Sequence, residues 1–267
     1  MAPTKGKLEG RVTVPTGGWT GTINEATGGG AQAWTIAAGD YYMSSLDGTA
    51  NDFIKTWELA LETASFNGYS YTATVSAGED DTGLTTVTRA SGSGSITIAW
   101  TDTEVRDILG FATGTQSGSG AYSSTEHVRS LWLPDVEYQS PNGPNVSRRT
   151  SDLAMQRSGA GHVYALSGQR AALIDVNWPA LSRAKTWAAN EGTPKESWEQ
   201  FWIDVILGEA SWSSNPAGPF RWYPDADTDA TYFTVQGGPR DLNPQALENQ
   251  WTGLWQVQLT DLAVVPS

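Results

Sequence analysis

The segment from Ser95 to Phe111 constrains the fold most strongly, because it predicts a strand that runs directly into a short helix. Ile96, Ile98 and Trp100 alternate with small or polar residues, the two-residue period of a strand with one buried face. No side chain in this stretch is an obvious catalyst. The segment therefore predicts a structural element that joins a sheet to a helix.

The helix in this segment has a clear start and a clear end. Thr101 is expected to cap it, with Glu104 completing a capping box. Gly110 supplies the left-handed residue that commonly ends a helix, and Phe111 can fold back on the last turn. These signals predict a helix over about residues 102–109.

Composition excludes several classes of function. The chain has 267 residues, with 16 Lys plus Arg against 29 Asp plus Glu, and a net charge of -13 argues against binding to a nucleic-acid backbone. There are no cysteines, so disulfides, thiolate metal sites and cysteine nucleophiles are excluded. The sequence shows neither a signal-peptide core nor an apolar run long enough to span a membrane. We expect a soluble protein made in the cytoplasm.

The first half predicts a β-rich domain preceded by an arm. Residues 1–30 are rich in Gly, Thr and Pro, and we expect an extended N-terminal arm that other contacts order. A β-rich domain follows over residues 31–138, with Ala33 to Ile36 and Tyr41 to Met43 forming a hairpin. Its main helix is expected over residues 49–64, capped by Thr49 and Asp52.

The second half predicts another β-rich domain. Residues 139–149 carry two prolines among Asn and Gly and are expected to be a linker. Residues 150–267 then contain strands and two helices, over residues 179–190 and 194–207. Thr193, Pro194 and Glu196 form the start signal of the second of these helices. The fold class is α+β and β-rich, with two β-sheet units, sandwich or barrel-like, each carrying one or two amphipathic helices.

Apolar spacing on the helices and strands predicts the core. The expected core residues are Trp34, Phe53, Trp57, Leu61, Trp100, Leu109, Phe111, Trp198, Phe201 and Trp202. Within this set, we expect Trp100, Leu109 and Phe111, together with Ile108, to pack on the helix face that carries Trp57.

Candidate sites for chemistry are few. The two histidines, His127 and His162, have no neighbouring ligand or nucleophile pattern, so structural roles are favoured. Asp225, Asp227 and Asp229 alternate as in a calcium loop, but the expected glycine and glutamate that complete such a loop are missing. A solvated acidic turn is the favoured interpretation. We expect neither a bound metal nor a cofactor.

Tryptophan is the unusual component, with 13 residues that must be buried in cores, buried in interfaces or offered to a ligand. Trp212, Trp222 and Trp251 lie near predicted turns and are the candidates for an interface or a ligand-binding surface. Paired carboxylates for glycoside hydrolysis stay open, because any two of the 29 acidic residues can meet in space.

Several short motifs resemble those of virion structural proteins of tailed bacteriophages. In the first half they are the stretch from Trp34 to Tyr42, with its Gly-x-Tyr turn before a helix, and the closing Ile108 to Phe111. In the second half, the Phe201-Trp202 pair, the stretch from Phe220 to Asp225 and the strand from Trp255 to Leu259 are similar to elements of tail-tip and distal-tail proteins. The resemblance extends over residues 31–138 and 150–264.

The resemblance implies a non-enzymatic tail component located in the virion. It would form a ring from copies of itself and contact other tail proteins, namely the tube, the hub and the tape-measure end, without nucleic acid or membrane insertion. A carbohydrate-binding module that uses the turn-proximal tryptophans is the alternative, and a glycan or peptidoglycan hydrolase is a third hypothesis.

Overall fold

The computed structural model describes residues 5–26, 28–43, 52–78, 81–90, 94–112, 114–118, 121–138, 153–157, 163–167, 173–187, 196–208, 219–227, 232–236, 245–246 and 254–264. Strands dominate these residues, and helices are few and short. The ladders that join the named strands are all antiparallel within the described residues. The predicted β-rich α+β class is confirmed.

The strands are numbered in chain order. In the first half they are β1 (Lys7–Glu9), β2 (Arg11–Val14), β3 (Trp19–Glu25), β4 (Ala31–Ile36), β5 (Gly39–Tyr42), β6 (Tyr71–Val75), β7 (Thr85–Arg89), β8 (Ile96–Trp100), β9 (Gln116–Gly118), β10 (Ala121–Ser123) and β11 (Leu131–Trp132). In the second half they are β12 (Leu153–Arg157), β13 (Val163–Ser167), β14 (Leu173–Leu181), β15 (Phe220–Tyr223), β16 (Phe233–Gln236), β17 (Gln245–Ala246) and β18 (Trp255–Val264). The helices are α1 (Phe53–Ala64), α2 (Thr103–Ile108), α3 (Arg183–Thr186) and α4 (Trp198–Phe201), and α4 continues into a π-helical turn (Trp202–Leu207).

The described strands form five sheets. The largest has the order β11-β1-β15-β16-β18-β14, with β17 also paired to β18. A four-stranded sheet has the order β4-β3-β8-β9, and a three-stranded sheet has the order β10-β7-β6. The remaining two are the pairs β2-β5 and β12-β13. Since β4 pairs with β3 and β5 with β2, the predicted hairpin between residues 33–36 and 41–43 is wrong.

Helix α1 forms where its apolar spacing predicts. Asp52 is the N-cap, and its carboxylate accepts a hydrogen bond of 3.1 Å from the backbone N–H of Lys55. Phe53, Trp57 and Leu61 are fully buried on one face. Thr49, the other predicted capping residue, lies outside the described residues.

The start of α2 differs from the prediction. Asp102, rather than Thr101, is the N-cap residue, and its side chain makes no capping hydrogen bond, so the predicted capping box is wrong. The Asp102 carboxylate instead accepts hydrogen bonds from the backbone N–H (2.7 Å) and the hydroxyl (3.0 Å) of Thr20. A partner on β3, distant in sequence, therefore uses the oxygen that could have capped the helix.

The end of α2 is a Schellman motif around Gly110, which has a left-handed φ of +76°. The backbone N–H of Phe111 donates to the carbonyl of Arg106 at 3.1 Å, and that of Gly110 to the carbonyl of Asp107 at 3.2 Å. This turn places the Phe111 ring 5.9 Å from Trp57 and 5.5 Å from Trp100, measured between ring centroids. The strand-helix segment thus packs against α1.

The N-terminal segment is not an extended arm in the part that the structure describes. β1, β2 and β3 all belong to sheets, and the apolar side chains of Leu8, Val12, Val14 and Trp19 are buried. The prediction for residues 1–30 is wrong because the apolar residues are interspersed with Gly, Thr and Pro, and only the sheet partners reveal their alternation.

Two hydrophobic clusters share a wall made by β1 and β11. Leu131 and Leu133 belong to the first cluster, whereas Trp132 between them belongs to the second. Leu8 of β1 also belongs to the second cluster, although it lies near the N-terminus. Residues from both ends of the chain therefore build the second core. The predicted linker, residues 139–149, lies outside the described residues.

The helices of the second half are shorter than predicted. Strand β14 continues through Leu181, so residues 179–181 are not helical, and α3 begins only after its N-cap Ser182. A register shift between Trp178 and Leu181 and a positive φ at Ala180 accompany this change.

The predicted helix over residues 194–207 begins later than expected. Ser197 is the N-cap of α4, and its hydroxyl accepts from the backbone N–H of Gln200 at 3.1 Å. Thr193 and Pro194, the predicted start signals, lie outside the described residues.

Replacing Gly110 with alanine is expected to lower the free energy of unfolding by about 3 kcal/mol, because a left-handed side chain costs roughly 1–2 kcal/mol and overpacking adds to it. An added Cβ would collide with the carbonyl oxygen of Glu126. Gly114→Ala is the matched control, since its φ is +96° but an added Cβ meets no described atom within 4 Å. Urea denaturation measures both variants. Equal destabilisation would contradict the packing described for α2.

Candidate interaction surface

The predicted ligand candidate Trp222 is fully buried, so its assignment to an exposed surface is wrong. Its ring stacks on Phe233 at a centroid distance of 5.5 Å, and Tyr138 meets it edge-on at 5.6 Å. The reason is that β15 is an inner strand of the largest sheet. Trp212 and Trp251 lie outside the described residues.

The structure buries most of the residues that the apolar spacing assigned to the core. Trp34, Phe53, Trp57, Leu61, Leu109, Phe111, Trp198 and Phe201 are buried. Trp100 and Trp202 are half-buried and pack against the first and second cluster, respectively.

The acidic turn after β15 lies near an acidic residue of another loop, Asp81. The backbone N–H of Asp227 donates to Asp225 at 3.0 Å, and the carboxylates of Asp227 and Asp81 both approach Gly78. Within the described ranges, no group of three or more Asp, Glu or His side chains is arranged to hold a metal ion. Asp229 and His162 lie outside these ranges. His127 is buried, with its Nδ1 2.7 Å from the carbonyl oxygen of Val128.

Glu25 is a buried carboxylate that ties β3 to the segment after α1. It accepts hydrogen bonds from the hydroxyls of Ser65 and Tyr71, each at 2.6 Å. It also accepts from the backbone N–H (3.0 Å) and the amide (2.8 Å) of Asn67. Burial by itself would raise the pKa of Glu25, but these hydrogen bonds outweigh it and hold the pKa below its ordinary value. The side chain stabilises the fold as an anion.

Asp204 is buried on the π-helical turn and links the two halves of the chain. Its carboxylate lies 3.4 Å from Nη1 of Arg129, whose Nε lies 2.8 Å from Asp107 on α2. The Gln200 amide also donates to Asp204, at 2.8 Å. Burial raises the pKa of Asp204 to about 6, although Arg129 and Gln200 favour the charged form.

Arg221 lies between two tyrosine rings where the first and second halves meet. Its guanidinium is 3.9 Å from the ring centroid of Tyr42 and 4.4 Å from that of Tyr232. The Tyr223 hydroxyl donates to Glu9 at 2.6 Å. Burial and the charge of Glu9 raise the pKa of Tyr223, so it stays a neutral donor. The side chains of Glu9 on β1 and of Arg221 and Tyr223 on β15 therefore interact with one another inside the protein.

An open groove lies beside β4, at the edge of the four-stranded sheet. Its volume is about 360 Å³, and it is lined on the strand side by Ala33, Trp34, Thr35 and Ala37 and on the α1 side by Thr56, Leu59, Ala60 and Thr63. None of these residues is charged, and Leu59 is 59% exposed. We call these eight residues the β4 groove. It is the candidate interaction surface, since an uncharged groove beside an edge strand suits contact with another chain.

Sequence patterns predicted the strand and the helix that form the β4 groove but not the groove itself. The position of β4 at a sheet edge depends on pairing with β3 and not with β5. The exposed Leu59, out of phase with the buried face of α1, is the one local signal.

Comparison with known proteins gives no match: no family model, no curated protein and no solved structure is similar to this chain. No helix in the described part of the chain has the length and apolar character needed to cross a membrane.

Replacing Asp204 with asparagine is expected to change how the stability of the protein depends on pH. A pKa raised from 3.8 to about 6 means that the contribution of this group is fully present below the unfolded pKa and is lost as pH rises through about 6. Asp204→Asn does not titrate, so its stability relative to the wild type is expected to rise as the pH increases from about 4 to about 7. Urea denaturation of both proteins from about pH 4 to about pH 7 measures the difference. A difference that does not change with pH would contradict this assignment.

Replacing Glu25 with glutamine is expected to lower the free energy of unfolding at neutral pH. A lowered pKa gives stability that is present above the unfolded pKa of 4.5 and lost as pH falls through the folded value. Glu25→Gln removes the charge and turns an NH₂ group toward N–H and O–H donors, which costs about 2–4 kcal/mol at pH 7. Thermal and urea denaturation test this, with the exposed Glu104→Gln as control. Equal stability of the two variants would contradict the role of Glu25 in joining β3 to the segment after α1.

Proposed function

We propose that this protein is a non-enzymatic structural component of a tailed-bacteriophage virion, a tail-tip or distal-tail protein of the baseplate region. It assembles as a ring from copies of itself and connects the tail tube to the tip. The motifs around residues 34–42, 108–111 and 220–225 support this proposal through their resemblance to such proteins.

The β4 groove is the observation that carries the structural part of the proposal. It combines an exposed leucine, small side chains and an edge strand, and its lining has no charge on a chain of net charge -13. Surfaces of this kind suit protein contacts, because charged residues are depleted where interfaces are buried.

The buried charged side chains support the same role. Glu25 joins β3 to the segment after α1, and Asp204 and Arg221 join the two halves of the chain. Each contacts partners from distant parts of the chain within the fold. Such contacts fix the positions of the elements that they join. This property suits a subunit of a ring.

Purified phage particles provide the test. A phage that encodes this chain is expected to carry it in a fixed number of copies, detected by quantitative mass spectrometry, with a ring near the tail tip in cryo-electron microscopy. A stop codon in the gene is expected to yield particles without complete tails, and suppression of that codon restores them. Normal tails in the absence of the protein, or particles that lack it, would overturn the proposal.

A further inference from the structure

Within the described residues, strand β4 lacks the protection against pairing that the two edge strands of the largest sheet have. The edge strand β14 of the largest sheet carries Pro179 and two register shifts, which oppose the addition of another strand. At the opposite edge, β11 has only two residues and is followed by Pro134. By contrast, β4 is six residues long, without charge, proline or register shift.

Helix α1 makes different contacts with its two neighbouring strands, β6 and β4. It covers the edge of β6, where Glu58 accepts from the backbone N–H of Ala73 at 2.7 Å and Glu62 from that of Tyr71 at 3.1 Å. These carboxylates occupy donors that another strand would need. On the β4 side, the hydroxyl of Thr56 donates to the carbonyl of the N-cap Asp52 at 2.7 Å, and that of Thr63 to the carbonyl of Leu59 at 2.8 Å.

The backbone edge of β4 is therefore open. Within the described residues, its ladder hydrogen bonds go to β3 alone, so alternate N–H and C=O groups face outward beside an apolar groove. Strand β5, which continues the chain after β4, is different because Asp40 forms an ion pair with Arg11 at 3.2 Å. Because β5 pairs with β2 in a different sheet, the open and uncharged edge here is β4 alone.

The charge of the chain indicates which partner fits. Two copies that each carry a net charge of -13 repel one another, and they approach with least repulsion where neither surface is charged. A basic partner would instead gain most at acidic residues, and the lining of the β4 groove contains none. The other edge of the same sheet, β9, also has no charged residue, and neither has the surrounding sequence from 112 to 120.

We propose that β4 and the β4 groove of one subunit take up the β9 edge of a second copy of this chain. Because β4 and β9 are different strands at opposite edges of one sheet, the contact is head-to-tail. Each subunit keeps one open edge after pairing, so repetition of the contact closes a ring or extends a filament. This inference deepens the proposed function, on whose ring it rests, and names the contact that builds it.

The experiment measures association of the purified full-length chain by sedimentation velocity over a range of concentrations. The wild type is expected to form oligomers larger than a dimer. Thr35→Lys, on the exposed face of β4, and Ser117→Lys, on the exposed β9, are each expected to weaken association by about tenfold or more. Thr74→Lys, on the exposed face of the covered strand β6, is the matched control and leaves association unchanged.

Mixing the two variants tests the head-to-tail geometry. The Thr35→Lys protein keeps an intact β9 edge, and the Ser117→Lys protein keeps an intact β4 edge. Their equimolar mixture is therefore expected to form a heterodimer and nothing larger, whereas each alone is monomeric. Circular dichroism and thermal melting verify that each variant is folded, and Ala33→Lys on the same exposed strand face replaces Thr35→Lys if that variant is not.

Several outcomes would overturn the proposal: a monomeric wild type at all concentrations, unchanged association of both edge variants, equal loss in Thr74→Lys, or self-dimers of Ser117→Lys alone. The result is separable from the proposed function. If the protein associates head-to-tail but is absent from virions, only the proposed function is wrong. If it is present in virions but its edge variants associate normally, only the proposed contact is wrong.

Discussion

The structure depends on the strand β1, which is held between two hydrophobic cores. Leu8 points into the second core, while the neighbouring Lys7 and Glu9 are buried on the opposite side. Burying those charges is costly without partners, and the fold supplies them: Lys7 donates to the carbonyl of Ala77 at 3.4 Å, and Glu9 accepts from Tyr223. The N-terminal strand thus joins elements that are more than 200 residues apart in sequence.

This shared wall joins sheets that are small by themselves. The strand-helix segment from Ser95 to Phe111 fastens α1 to the first core, and the Asp204–Arg129–Asp107 chain links its helix to the second. With the interior fixed in this way, the edge of β4 keeps a constant position relative to β9. Under the contact proposed between β4 and β9, a fixed angle between these two edges would determine whether copies close into a ring.

The sequence predicted those parts of the fold that local signals determine. The α1 helix and the Gly110 ending follow from apolar spacing and from a left-handed glycine, which act within a few residues. Trp222 was misplaced because closeness to a turn does not tell whether its strand lies inside a sheet. The predicted capping role of Thr101 is wrong because the N-cap of the helix is Asp102, whose side chain has a long-range partner on β3. Predicting the β4 groove requires the order of the strands in the sheet, and that order depends on pairing between residues distant in sequence.

Hydrogen–deuterium exchange of the β1 amides tests the central claim, that the N-terminal strand is an integral wall between two cores. Peptides that cover residues 7–9 are expected to exchange as slowly as those of β15, with which β1 pairs from Lys7↔Tyr223 to Glu9↔Arg221. Both are expected to lose protection together in denaturant. Rapid exchange of residues 7–9 while β15 stays protected would show a free arm and contradict the account.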